Sequence, residues 1–107
     1  MEIRQYQIVS VNLDSTVSSK KKKIRPFVVI SPNEMNKYLQ TIVVAPMTSH
    51  SKPYPTRAEV KHNKTKGWVV LDQIRTIDRR RIVKLFESLT EKEITKVKAI
   101  IHETYVE

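Results

Sequence analysis

The chain has 107 residues, 20 Lys and Arg against 11 Asp and Glu, a formal net charge of +9, one glycine and no cysteine. That length allows one domain with one modest core. It leaves no disulfide or thiolate chemistry and no glycine-rich nucleotide cradle. With only short apolar runs there is no helix of the roughly 18–20 residues that a membrane requires, and no apolar segment follows Met1, which points to a cytoplasmic domain spanning residues 1–107.

The elements follow in chain order. Tyr6–Leu13 alternates, with Val9, Val11 and Leu13 on one face, and predicts a half-buried strand. Asp14–Ile24 is polar and lysine-rich and predicts a long loop. Phe27–Ile30 is a continuous apolar, β-branched run and predicts a buried strand. Ser31, Pro32 and Glu34 form a capping-box pattern with proline at the first helical position, so a short helix is expected from Pro32 to about Lys37. Thr41–Met47 predicts a third strand, and Thr48–Thr56 a loop. Arg57–His62 and Trp68–Leu71 predict a hairpin, with Gly67 helping to close its turn. Asp72–Arg81 reads as irregular or as one helical turn, and Ile82–Phe86 as a last strand. Thr90 and Glu93 make a second capping box. Ile94, Val97, Ile101 and Tyr105 then recur at spacings of three and four, one face of a C-terminal helix. The predicted class is mainly β (α+β): a small bent antiparallel sheet or barrel, a short helix after strand 2 and an amphipathic C-terminal helix.

The charge is uneven. Residues 57–84 carry nine basic and three acidic side chains, whereas residues 85–107 carry three and five. Two clusters dominate, Lys20–Lys23 with Arg25, and Arg79–Arg81 with Lys84. Such a domain is expected to meet a polyanion. His50, His62 and His102 have no paired metal-ligand spacing, so no metal and no cofactor is expected. Arg25 stands at the mouth of one buried strand, and Thr48 and Ser49 at the exit of another. A planar guanidinium held there suits a phosphate, although a structural ion pair for Arg25 and a turn cap for Thr48 explain the same pattern.

Five segments in order bear a family resemblance. They are D-S-T at Asp14–Thr16, R-P-F-V-V-I-S-P at Arg25–Pro32, V-V-A-P-M-T-S at Val43–Ser49, P-T-R-A-E-V at Pro55–Val60 and D-Q-I-R-T-I-D at Asp72–Asp78. The sequence resembles the MazF/PemK family of endoribonuclease toxins from type II toxin–antitoxin systems. The resemblance implies an SH3-like barrel, a homodimer and metal-independent, sequence-specific cleavage of single-stranded RNA. It also implies an acidic, partly disordered antitoxin partner. It assigns catalysis to Arg25 and Thr48, with Asp72 as a further candidate. It assigns RNA contact to the first loop, with Ser18, Ser19, Lys20, Lys22 and Lys23. Ser49, beside Thr48, and Gln73 and Arg75 are further expected contacts, the last two because their side chains can read base edges or bind phosphate.

The family's loop glycine and acidic residue are replaced here by Ser18 and Lys20. This leaves a second expectation open, a MazF-like module that binds RNA or antitoxin with weak or no catalysis. RNA carries its own nucleophile, the 2′-hydroxyl, so cleavage through it would leave a 2′,3′-cyclic phosphate and a 5′-hydroxyl. Arg25 would stabilise the phosphorane charge, Thr48 would position the phosphate, and Asp72 or His50 would move the proton.

Overall fold

The apolar runs become the centre of one antiparallel sheet. The computed structural model describes residues 2–13, 23–62 and 65–106. Within them lie strands β1 (Gln7–Asn12), β2 (Ile24–Val29), β3 (Thr41–Thr48), β4 (Arg57–His62), β5 (Thr65–Val70), β6 (Arg75–Asp78) and β7 (Ile82–Ser88). Helices α1 (Asn33–Tyr38) and α2 (Glu91–Tyr105) follow β2 and β7. The strand order is β4-β5-β3-β2-β1-β7, with β6 also paired to β3, and every pairing is antiparallel. The result is the expected mainly β unit, in the form of a half-barrel.

The runs Phe27–Val29 of β2 and Ile42–Ala45 of β3 are apolar without interruption because both of their faces are covered. Val9, Val11, Phe27, Val29, Ile42 and Val44 enter one core cluster with Ile77 and Ile82. Ile8, Val28 and Ala45 point the opposite way, into a second cluster with Ala58, Val60, Val69, Leu71 and Val97. Alternation thus places Val9 and Val11 as expected, but Ile8 shows that β1 is covered on its other face too.

β3 changes partner along its length. Thr41–Val44 pair with β6, and Met47 and Thr48 pair with Val69 and Trp68 of β5. Ala45 and Pro46 fall between the two ladders, where the missing N–H of a proline costs least. β5 and β6 run in the same direction along this edge, offset by a one-turn 3-10 helix at Leu71–Gln73. The polar stretch 72–81 is therefore not irregular throughout. β6 escapes the sequence reading because it is four residues long and buries only Ile77.

Three further expectations are corrected. Gly67 does not close the turn: it lies within β5 opposite Val60, and Thr65 and Lys66 are already strand residues. Ser31 does not cap α1, whose N-cap is Pro32 without a side-chain bond. The Ser31 hydroxyl instead donates to Asn36 Oδ1 and accepts the Val43 N–H at 3.1 Å, while Asn36 Nδ2 donates to the Ser31 carbonyl at 2.8 Å. This buried knot ties α1 to β3. The arginines at 79–81 also do not form a free basic patch. Arg79 donates to the Leu39 carbonyl at 3.0 Å and Arg81 to the Asn12 carbonyl at 3.3 Å. Arg80 pairs with Asp78 at 2.9 Å.

The capping box of α2 forms as expected. Thr90 Oγ1 accepts the Glu93 N–H at 3.2 Å, and Glu93 Oε1 accepts the Thr90 N–H at 2.8 Å. Glu93 Oε2 also accepts the Lys61 N–H of β4 at 2.8 Å. One carboxylate thereby caps a helix and satisfies a donor on an outer strand, a group that otherwise invites unwanted pairing. Val97 packs fully buried, and Tyr105 donates its hydroxyl to the Leu71 carbonyl at 2.6 Å. Urea unfolding of Glu93→Ala is expected to show a loss of about 1–3 kcal/mol, because a cap and a strand contact go together.

The Asp78 carboxyl is held down to about 2, first by the Arg80 side chain and then by the Arg80 N–H. A depressed carboxyl stabilises the fold above its unfolded value, about 3.9, and the benefit is lost as pH falls through the folded value. In paired urea titrations, wild type should exceed Asp78→Asn in stability above pH 4 and converge with it between about pH 4 and 2.

Candidate active site

The register of β2 against β3 assembles the site. Phe27 pairs with Pro46 and Val28 with Ala45. Continuing that register for two residues brings Arg25 level with Thr48. Thr48 in turn pairs with Trp68 of β5. Arg25, Thr48, Ser49 and Gly67 line one open pocket of about 380 Å³, together with His62 and Lys66. Pro26 and Met47 supply part of its apolar wall.

Arg25 is exposed and makes only a long 3.4 Å bond, to the Ile24 carbonyl, with no carboxylate partner among the described residues. Its guanidinium is thus available to a ligand. Thr48 has the turn role as well as the pocket position. Its Oγ1 accepts the His50 N–H at 3.2 Å and donates to the His50 carbonyl at 3.1 Å, which fixes the chain as it leaves β3. Ser49 follows on the rim and is exposed. The lack of a side chain at Gly67 keeps the pocket open, since a Cβ there would stand 3.3 Å from the Thr48 carbonyl oxygen.

The other expected residues are distributed differently. Asp72 does not line this pocket. It accepts from Thr56 Oγ1 at 2.9 Å and from Arg57 Nε at 3.5 Å. Partial burial pushes its carboxyl up, but the bonds from Thr56, its own backbone and Arg57 outweigh this and hold it below the ordinary value. Asp72 therefore fastens the 3-10 turn to the start of β4 and is a weak base. Gln73 is exposed on the same turn. Arg75 lines a separate cleft with Leu13, Asp78 and Arg81. His50 is exposed and absent from the pocket lining.

Lys23 stands at the base of the first loop, where its carbonyl accepts the Leu13 N–H at 2.8 Å. That bond continues the β1–β2 pairing beyond Asn12 and Ile24, next to Arg25. Ser18, Ser19, Lys20 and Lys22 lie outside the described residues.

Sequence reasoning missed His62. It read the residue only as a strand end without metal-ligand spacing. The hairpin pairs His62 with Thr65 and so places it on the pocket wall. Its Nδ1 lies 2.7 Å from Glu87 Oε1, and its ring meets Phe86 edge-on at 5.0 Å. Among the described residues no group of three or more His, Cys, Asp or Glu could hold a metal ion.

Comparison with known proteins agrees with this geometry. Residues 4–105 match the family model described as the PemK-like, MazF-like toxin of type II toxin–antitoxin systems. An Endoribonuclease MazF of Staphylococcus epidermidis is 30% identical over 101 residues, which cover 89% of this chain and 84% of that protein. A mycobacterial endoribonuclease solved in complex with its cognate antitoxin superposes with a TM-score of 0.80 at 17% identity, over 94% of this chain and 92% of that one. A MazE–MazF structure from Deinococcus radiodurans gives 0.78 at 22% identity, over 96% and 94%. At these identities the solved structures speak for the fold, while the family model and the staphylococcal relative speak for descent. With its sheet, its Arg25–Thr48 pocket and these matches taken together, the chain belongs to the PemK-like, MazF-like toxin family of type II toxin–antitoxin systems.

Proposed function

We propose that the protein is a MazF-like endoribonuclease toxin that cuts single-stranded RNA at preferred sequences, without a metal, by attack of the 2′-hydroxyl on the adjacent phosphate. The observation that carries this reading is the convergence of Arg25, whose guanidinium has no carboxylate partner among the described residues, with Thr48 and Ser49 on one open pocket.

The chemistry follows from what these groups offer. Two non-bridging oxygens gain charge as the 2′-oxygen adds to phosphorus. A fixed cation aimed at them lowers the barrier, and one such donor is worth roughly 2.7–4 kcal/mol in comparable sites. Arg25 fits that task and not proton removal, since a guanidinium stays charged at any relevant pH. Thr48 shapes the turn that presents Ser49 and the backbone of residues 48–50 to the phosphate. Lys66 and the lysines of the first loop add phosphate contacts, whose contribution weakens with salt. Exposed Tyr54 lies 4.9 Å under the Arg57 guanidinium and offers a stacking surface for an unpaired base. Phe27 is core and Trp68 is part of the sheet wall, so neither is free to stack.

The relatives solved with cognate antitoxins suggest the partner. The +9 charge of this chain suits an acidic, partly disordered segment that covers the Arg25 pocket. A homodimer belongs to the same proposal.

Primer-extension mapping of RNA incubated with the protein in EDTA should reveal discrete cuts. Arg25→Ala should lower the cleavage rate by about 10²–10³-fold, and Arg25→Lys should restore little because a point charge lacks the planar fork. RNA left intact by the wild-type protein while still bound would support the binding-only module instead.

A further inference from the structure

Resting on that reading, we propose that His62 is the general base of the RNA cleavage, held in its working tautomer by Glu87. Neither residue belongs to the motifs that carry the resemblance, and among the described residues the Arg25 pocket otherwise contains no group suited to accept a proton. Lys66 and Arg25 are cations. Thr48, Thr65 and Ser49 bear only weakly acidic hydroxyls. Asp72 and His50 do not line the pocket.

The geometry is that of a base and its orienter. Glu87 Oε1 lies 2.7 Å from His62 Nδ1, so the carboxylate accepts the Nδ1–H and leaves the Nε2 lone pair for another proton. Phe86 braces the ring edge-on, at 77° between planes. The His62 side chain is 18% exposed, so the ring is largely enclosed yet reaches the pocket surface. Among the described residues Nε2 has no hydrogen-bond partner. Glu87 is held below its ordinary value, first by its own backbone N–H and then by its bond to His62, so it is ionised near neutral pH.

The step balances. Neutral His62 takes the 2′-hydroxyl proton at Nε2 as the 2′-oxygen bonds to phosphorus. The bond from phosphorus to the 5′-oxygen breaks, and the 5′-oxygen takes a proton from a solvent water. The resulting hydroxide and the imidazolium then neutralise each other. Among the described residues, the charged groups near the ring are Glu87 and, across the Phe86 ring at 5.0 Å, Lys84 on β7, with Lys66 on β5 and Arg25 on β2 lining the same pocket and Lys61 next to His62 in sequence on β4.

The test uses the full chain and one oligoribonucleotide containing a mapped cut site. A matched oligonucleotide with 2′-deoxyribose at that site measures binding without cleavage. His62→Ala should lower kcat by about 10²-fold or more and keep binding of the deoxy probe within about threefold. Added imidazole should restore part of the rate. Glu87→Gln should lower kcat with little change in KM, and Glu87→Asp should recover much of it. A His62→Ala protein that cuts at near the wild-type rate overturns the assignment alone. So does a variant whose rate loss follows lost probe binding and does not respond to imidazole. RNA uncut by the wild-type protein overturns the endoribonuclease reading, and this assignment with it.

Discussion

The structure depends on the change of partner along β3. One strand carries β2 on one side, and β6 then β5 on the other, with Pro46 at the changeover. Its first half is needed for the core, where Ile42 and Val44 are fully buried. Its second half emerges between β2 and β5 and delivers Thr48 and Ser49 to the pocket. A rigid, doubly covered strand therefore ends in the groups that must face a ligand. The same changeover lets β5 bring Gly67 against Thr48, where a side chain would press on the Thr48 carbonyl.

The net charge divides into two populations with different work. The arginines at 79–81 are committed to carbonyls and to Asp78, where they join the α1–β3 connection, β1 and β6. Arg57 is shared between Asp72, Ser51 and the Tyr54 ring. Arg25 and Lys66 stand at the pocket and form no ion pair among the described residues. A count of basic residues thus overstates the surface available to RNA, and position relative to the β3 exit separates the two sets.

The sequence was legible where a pattern is local. Continuous apolar runs marked β2 and β3, and three-and-four spacing marked α2 with its Thr90 cap. Arg25 and Thr48 were legible through the resemblance, and the β2–β3 register accounts for their meeting. What escaped was set by distant partners. β6 is a strand only because β3 has a free edge beside it. Ser31 looked like a cap, but Asn36 and Val43 offered it a buried network. His62 is placed by the β4–β5 hairpin and oriented by Glu87, 25 residues along the chain, so no spacing rule announces the pair. Asp72 carried a motif, yet the three-residue offset between the β5 and β6 ladders turns it toward Thr56 and Arg57 instead of toward Arg25.

In the proposed reaction RNA acts as its own nucleophile in a pocket that supplies a cation for the phosphorane. Mass spectrometry of the ends of a cleaved oligoribonucleotide tests this most directly. The expected ends are a 2′,3′-cyclic phosphate on the upstream fragment and a 5′-hydroxyl on the downstream one. A 3′-hydroxyl paired with a 5′-phosphate would mean that water attacked the phosphorus, and would contradict it.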